Sequence, residues 1–178
     1  MPRILPVRPE TADPKTAELL SDLKQRTGMV PNLVSTMAQS PTVATAYLGF
    51  SQALAGGRLP APLREQISLA VGQANDCGYC VAAHCALGQK AGLSLEDVAQ
   101  ARHATATGDK SGVALAFARQ LVDGRGRVAD ADIDGLRKAG YDDGEIGEIV
   151  ANVALNIFTN YFNHVAGTEI DFPAAPKL

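Results

Sequence analysis

The sequence contains few cysteines and no excess of basic charge, and each shortage excludes a class of protein. Its 178 residues include only three cysteines, and all three lie between positions 77 and 85. A secreted disulfide-rich protein would have an even number of cysteines spread along the chain, so we exclude that class. The net charge is −3. Because a nucleic-acid-binding surface is normally basic, we expect no nucleic-acid partner.

Long apolar segments are also missing. No stretch of about 18 residues is apolar and free of charge, so we predict no membrane-spanning helix and no membrane partner. Residues 1–10 contain three prolines and no apolar run, which argues against a signal peptide. We therefore expect a cytoplasmic protein. In that reducing compartment a close pair of cysteines is more typical of catalysis or metal binding than of a structural disulfide.

Strand-like alternation is absent as well, and helical spacing of apolar residues recurs along the chain. Asp13 and Pro14 predict the start of a helix that ends at Gly28. Ser94 to Asp97 resembles a capping box that opens a later helix. A helix over about 63–75 should be followed by an Asp76 cap and a second helix over 77–91. We predict one all-α domain over residues 1–178. Its thiol motif lies in 60–92, a long helix covers about 145–166, and a tail without regular structure covers 168–178.

The residues that indicate chemistry are concentrated around Cys77 and Cys80. The segment Cys-Gly-Tyr-Cys places two thiols one turn apart at a predicted helix N-terminus. Unpaired backbone N–H groups at such a terminus favour the thiolate. A thiolate can attack a peroxide or a disulfide, and the second thiol can then close a disulfide and release the product. The pattern therefore predicts a redox centre.

Three neighbouring residues could support that centre. His84 follows Cys80 by four residues, on the same helix face, where its imidazole can take or return the thiol proton. Glu65 lies 12 residues before Cys77, and a helical hairpin would place its carboxylate where it orients the imidazole. Tyr79 could donate a hydrogen bond to a peroxide oxygen or a water. Each of these residues alone is more typical of packing or of a solvated surface, and the redox hypothesis depends on their combination.

A zinc-binding or thiol-sensing module is the main alternative. The two cysteines and His84 could hold zinc, with His164 or His103 as a fourth ligand. Because no second Cys/His pair has ligand spacing, we favour redox chemistry and predict no metal and no cofactor. Attached c-type haem is excluded because Val81 follows the Cys-x-x-Cys segment where haem attachment needs His. We interpret Cys85 as a small buried hydrophobic residue.

A polar stripe follows the last predicted helix. Asn152, Asn156, Asn160 and His164 recur every four residues among apolar residues. Buried amides need hydrogen-bond partners, so the stripe either lines a pocket over the thiols or pairs across a subunit interface. Asn156, Asn160 and His164 are our candidate pocket residues.

From Glu65 to His84 the sequence resembles the carboxymuconolactone decarboxylase-like superfamily. The resemblance is to its alkylhydroperoxidase D-like, peroxidase-related branch, which combines Glu, a 12-residue step to Cys-x-x-Cys, and His four residues further on. The segments 30–33, 40–41 and 46–48 resemble the N-terminal region of that branch, and 156–163 with 171–173 resembles its C-terminal end. Together these segments extend the resemblance over roughly residues 8–173.

The resemblance implies an all-helical bundle with the Cys-x-x-Cys at a helix start, in a homo-oligomer, often a trimer or hexamer. It implies reduction of small hydroperoxides or disulfides, with a dithiol as electron donor. By this resemblance Cys80 is the attacking thiolate, Cys77 is the more exposed resolving thiol, and Glu65 and His84 form a proton relay. The branch carries His where this chain has Tyr79, so the relay contains one imidazole fewer. Decarboxylase members lack this thiol pair as a working centre, so we predict no lactone decarboxylation.

Overall fold

The computed structural model describes the backbone of all 178 residues and every side chain except that of Asp109. A short 3-10 helix covers Pro9–Thr11. The α-helices, in chain order, are α1 (Pro14–Thr27), α2 (Asn32–Met37), α3 (Pro41–Ala55), α4 (Ala61–Ala74), α5 (Gly78–Lys90), α6 (Leu95–Arg102), α7 (Asp109–Asp123), α8 (Asp130–Lys138) and α9 (Asp143–Ala166). No β-strand occurs in the described backbone, and the predicted all-α fold is confirmed.

The helix ends follow from local capping residues. Asp13 accepts hydrogen bonds from two backbone N–H groups in the first turn of α1, and Gly28 ends that helix in the left-handed conformation. Ser94 and Asp97 form a reciprocal capping box at the start of α6. These ends lie where the sequence predicts them, because the groups that satisfy the terminal backbone atoms are close by in the chain.

The predicted cap of α5 is wrong by one residue. Cys77 is the N-cap, and its sulfur accepts a hydrogen bond at 3.3 Å from the backbone N–H of Cys80. Asp76 instead has φ of 51° and turns the chain between α4 and α5. Asp tolerates this conformation better than most residues, since its short polar side chain can bond locally. The consequence is that one of the two sulfurs lies at the helix N-terminus.

Helix α4 lies at the centre of the fold. It carries no charged side chain after Glu65, and eight of its residues are buried. The helices α5, α6, α7 and α9 all pack against it. A helix that is apolar on most sides is typical of a protein interior. Because α4 contacts both α5 and α9, it aligns the thiol segment with the last helix.

The buried side chains form two clusters. The larger cluster surrounds α4 and includes Ile67, Leu115 and Ile149. The free cysteine Cys85 is buried in it, so the predicted burial of that residue is confirmed. The smaller cluster joins α1, α2 and α3 to the first turn of α5. That cluster contains both cysteines of the thiol motif, so the N-terminal helices cover Cys77 and Cys80.

None of the helices in the described part of the chain is both long enough and apolar enough to cross a bilayer.

One face of α9 is exposed and apolar. Its residues are Val150, Ala154, Phe158, Tyr161 and Val165. The homo-oligomer that the resemblance implies stays a prediction.

Candidate active site

Cys77 and Cys80 are joined by a disulfide at the N-terminus of α5. Their Cα atoms are 5.3 Å apart. The two residues are buried to the same degree, with 2% and 3% of their surfaces exposed. The prediction that Cys77 is the more exposed thiol is therefore wrong for this chain. The reason is that the smaller hydrophobic cluster, from helices distant in the sequence, packs over both sulfurs.

Glu65 and His84 meet across the hairpin of α4 and α5. Oε2 of Glu65 lies 2.8 Å from Nδ1 of His84. Their side chains are 22% and 21% exposed, so the pair lies at the edge of the interior and not on the open surface. This contact occupies one ring nitrogen of the imidazole and leaves Nε2 for proton exchange.

A cavity of about 200 Å³ lies between α3, α4, α5 and α9. Cys80, Glu65 and His84 all line it, whereas Cys77 does not. Aromatic rings from three separate segments form part of its wall: Tyr47, Tyr79 and Phe172. One cysteine of the disulfide therefore lines a space for a small molecule, together with the imidazole–carboxylate pair.

The Tyr79 ring lines the cavity, but its hydroxyl is used elsewhere. The hydroxyl oxygen accepts a hydrogen bond at 3.2 Å from the backbone N–H of Leu33. Burial raises the pKa of Tyr79, and a hydrogen bond with the Asp171 carboxylate raises it further, so the phenol stays protonated. The ring meets Phe172 edge to face with 5.7 Å between centroids. This contradicts the predicted role of Tyr79 as a donor to a peroxide, since its hydroxyl joins α2 to the tail.

We expect Tyr79→Phe to lower the free energy of unfolding by about 1–3 kcal/mol, because the buried N–H of Leu33 loses its partner. Turnover should stay close to that of the wild type. Urea denaturation of the oxidised protein measures the first quantity. Tyr161→Phe is the matched control, because that ring is 60% exposed. A loss of turnover at unchanged stability would instead restore a catalytic role.

Of the three predicted pocket residues, only Asn156 lines the cavity. Its Nδ2 donates at 3.0 Å to the hydroxyl of Ser68. Asn160 is fully buried elsewhere, and its Oδ1 accepts from Nδ2 of Asn75 at 2.9 Å. His164 is exposed, with Nε2 2.8 Å from the carbonyl oxygen of Asn75. The predictions for Asn160 and His164 are therefore wrong.

Helix geometry explains the error for His164, which lies three four-residue steps after Asn152. A step of four residues rotates by about 40° relative to the previous one, so a four-residue repeat leaves the buried face within three steps. A step of 11 residues from Asn152 returns to within about 20° of the same direction and reaches Asn163. Nδ2 of Asn163 lies 3.3 Å from the sulfur of Cys80 and 3.9 Å from that of Cys77. The 3.6-residue period of the helix, and not a repeat of four, therefore places Asn163 on the face that contacts the disulfide.

Tyr47 is a second residue that the sequence analysis did not select. It lies on α3 and lines the cavity with Cys80. Burial raises the pKa of Tyr47, and the negative charge of Glu65 adds to the effect, so its hydroxyl remains a proton donor. Tyr47 lies in a segment that contributes to the resemblance, but the sequence around it indicates no role in the site, because its neighbours there come from α4 and α5.

The ligands of the alternative zinc site do not come together. Among the described residues, no group of three or more His, Cys, Asp and Glu side chains is arranged to hold a metal ion. His103 is exposed at the C-terminal end of α6 and His164 contacts a backbone carbonyl, so neither supplies a fourth ligand in the cavity. The structure does not support this alternative.

A sequence comparison identifies a family over part of the chain. A sequence model of the Carboxymuconolactone decarboxylase family matches residues 41–123, which contain the thiol pair. A search of curated proteins finds no match.

Several solved structures share the fold. An alkylhydroperoxidase AhpD core, a peroxidase-related protein from Ralstonia eutropha JMP134, is 24% identical over 96% of this chain and 92% of its own, with a TM-score of 0.87. A peroxidase-related protein from Silicibacter sp. TM1040 is 23% identical over 94% of this chain and 92% of its own, with a TM-score of 0.81. The debrominase Bmp8, solved as a cysteine-to-alanine variant with 2,3,4-tribromopyrrole, is 22% identical over 95% and 91%, with a TM-score of 0.80. Residues 41–123 match the Carboxymuconolactone decarboxylase family, and the chain has the alkylhydroperoxidase D-like helical fold of these structures.

Proposed function

We propose that this protein is a thiol-dependent peroxidase that reduces small organic hydroperoxides through Cys77 and Cys80, with a dithiol as electron donor. One observation carries the proposal. Cys80 lines a cavity together with the Glu65–His84 pair, and a disulfide joins it to Cys77. That disulfide is the oxidised product which such a reaction leaves behind. Reduction of a small disulfide would use the same centre, and we propose the cytoplasm as its setting.

The two sulfurs are proposed to have different roles. Cys80 is the attacking thiolate, because it lines the cavity and its sulfur accepts a hydrogen bond from the amide of Asn163. Cys77 is the resolving thiol. Its N-cap position, at the positive end of the helix, favours negative charge on sulfur and so keeps it reactive toward an oxidised Cys80.

The proposed reaction has three steps. His84 takes the proton of Cys80, and the thiolate attacks the terminal oxygen of the hydroperoxide. The S–O bond forms, the O–O bond breaks, and the alkoxide leaves as the alcohol with the proton from His84. The Cys77 thiol then displaces hydroxide from the sulfenic acid of Cys80, which forms the disulfide and releases water. A dithiol donor returns two electrons and two protons and is itself oxidised.

Glu65 acts on this reaction through the imidazole. Its carboxylate accepts the hydrogen bond of Nδ1 at 2.8 Å, which directs Nε2 to the proton transfer and stabilises the imidazolium. Glu65 is therefore a positioning residue in this proposal, and His84 is the residue that moves the proton.

Tyr47→Phe is expected to lower kcat/KM about tenfold, because the variant loses one hydrogen bond to an oxygen whose charge grows as the O–O bond breaks. Stability should change little, since the ring remains. Steady-state assays with cumene hydroperoxide measure the rate, and Tyr161→Phe again serves as the control. An undiminished rate would exclude the hydroxyl from the reaction.

The proposal is tested by single-turnover oxidation. The protein is reduced, freed of reductant and mixed with one equivalent of cumene hydroperoxide. We expect one cumyl alcohol and the loss of two thiols per chain, with peptide mapping assigning the new bond to Cys77 and Cys80. Cys85→Ser should behave identically, because that thiol is buried in the other cluster. Reduced thiols that persist beside unconsumed hydroperoxide would refute the proposal.

Reductive dehalogenation of an aromatic ring is a second candidate. The aromatic wall of the cavity beside Cys80 favours a flat ring, and the debrominase Bmp8 has the same fold. In that reaction the thiolate would take the halogen, His84 would protonate the carbon, and Cys77 would expel halide as the disulfide forms. Bromide release from a bromopyrrole, faster than consumption of cumene hydroperoxide under the same conditions, would favour this candidate.

A further inference from the structure

Arg64 brings a positive charge to the cavity that contains Cys80. The side chain is partly buried, and its Nη1 donates a hydrogen bond to the carbonyl oxygen of Leu59. Among the described side chains, Arg64 takes part in no ion pair. A guanidinium has five N–H donors, so most of its capacity is left for a ligand.

The carboxylates nearest to Arg64 in the sequence and fold have partners of their own. Glu65 is bonded to His84. Glu148 accepts hydrogen bonds from the backbone N–H groups of Arg58 and Leu59, at 2.8 and 3.0 Å. Those bonds, together with the charges of Arg58 and Arg64, lower the pKa of Glu148. A partly buried cation without a bonded counter-ion, in a cavity wall, is a binding group for an anion.

The geometry of α4 separates Arg64 from the sulfur. Ser68 is one turn after Arg64, and Gly72 is one turn further on. A Cβ at Gly72 would lie 3.4 Å from Cβ of Cys80, so this turn of α4 is at the level of the sulfur. Eight residues of helix span about 12 Å. The cavity therefore has a cationic end and a thiol end, with Ser68 and Asn156 between them.

The lining of the cavity also includes the apolar side chains of Leu54, Leu87 and Leu155. Building on the proposed function, we propose that the substrate is an elongated hydroperoxide that carries a carboxylate. The carboxylate pairs with the guanidinium of Arg64, the hydrocarbon contacts the apolar wall, and the peroxide group reaches Cys80. Arginine suits this task because its planar fork binds both oxygens of a carboxylate.

A matched pair of substrates tests this inference. The probes are 4-(2-hydroperoxypropan-2-yl)benzoic acid and its methyl ester, which differ in the charge. Because a hydrogen bond to a charged group contributes about 1.5–3 kcal/mol, the wild type should prefer the acid by about 10- to 100-fold in kcat/KM. Arg64→Gln should lose that preference, because its kcat/KM should fall far more for the acid than for the ester. Arg119→Gln, an exposed arginine paired with Asp123, is the control and should keep the preference.

Binding of 4-isopropylbenzoate, which has no peroxide, separates this inference from the proposed function. Calorimetry should detect its binding to the wild type and to Arg119→Gln, and at least about tenfold weaker binding to Arg64→Gln. Equal rates with acid and ester, or equal slowing of both by Arg64→Gln, would overturn the carboxylate assignment and leave the peroxidase proposal intact. Normal binding of 4-isopropylbenzoate without consumption of any hydroperoxide would refute the peroxidase proposal and leave the carboxylate assignment intact.

Discussion

Cys80→Ser is expected to abolish hydroperoxide reduction, with kcat/KM lower by a factor on the order of 10⁴ or more, as is usual when a nucleophile is removed. A serine hydroxyl is barely ionised at neutral pH and cannot form the S–O bond. Cys77→Ser should behave differently. It should consume one hydroperoxide per chain and then stop, because the sulfenic acid of Cys80 has no thiol to condense with.

The two cysteine variants are matched controls for each other, since each loses the same disulfide. The assay counts cumyl alcohol per chain after rapid mixing, and a sulfenic-acid trapping reagent followed by mass spectrometry identifies the oxidised residue. We expect trapping at Cys80 in Cys77→Ser and none in Cys80→Ser. Full turnover by Cys80→Ser, or trapping at Cys77, would reverse the proposed roles of the two sulfurs.

Glu65→Gln and His84→Ala are each expected to lower kcat by about 10²- to 10³-fold, within the range of general acid–base catalysis. Both variants lose the 2.8 Å contact between the carboxylate and Nδ1. If Glu65 acts only through the imidazole, the double variant should be no slower than His84→Ala alone, because the carboxylate then has nothing to orient.

His164→Ala is the control for this pair, because His164 is exposed and lies outside the cavity. Its turnover should equal that of the wild type. The double-mutant cycle is completed by measuring the rates of the wild type, the two single variants and the double variant over a range of pH. Losses that multiply in the double variant would show that Glu65 and His84 act independently, and Glu65 would then need a role of its own at the reacting atoms.

Much of the candidate site was predictable because it is local in the chain. Glu65 and His84 are separated by 19 residues and one tight turn, so the spacing alone predicts that two antiparallel helices bring them together. The helix ends at Asp13, Gly28 and Ser94 are local for the same reason, since a cap satisfies backbone groups within four residues.

The errors in the site concern residues whose surroundings come from distant parts of the chain. Tyr79 has its hydroxyl partners on α2 and in the tail, so its neighbours in the sequence say nothing about them. Asn160 and His164 followed a repeat of four, and only the packing of α9 against α4 shows which helix face is buried. Arg64 and Tyr47 have ordinary sequence contexts and became candidates only through the cavity.

The amino-acid sequence by itself determined the helical fold, the position of the cysteine pair at a helix start and its imidazole–carboxylate neighbour, because helix periodicity, capping and one short hairpin act over a few residues. The tertiary structure alone decided which cysteine lines the cavity, which amide contacts its sulfur and where a positive charge lies. Those properties arise when α9, which is far along the chain from α3, α4 and α5, packs with these three helices around a common space.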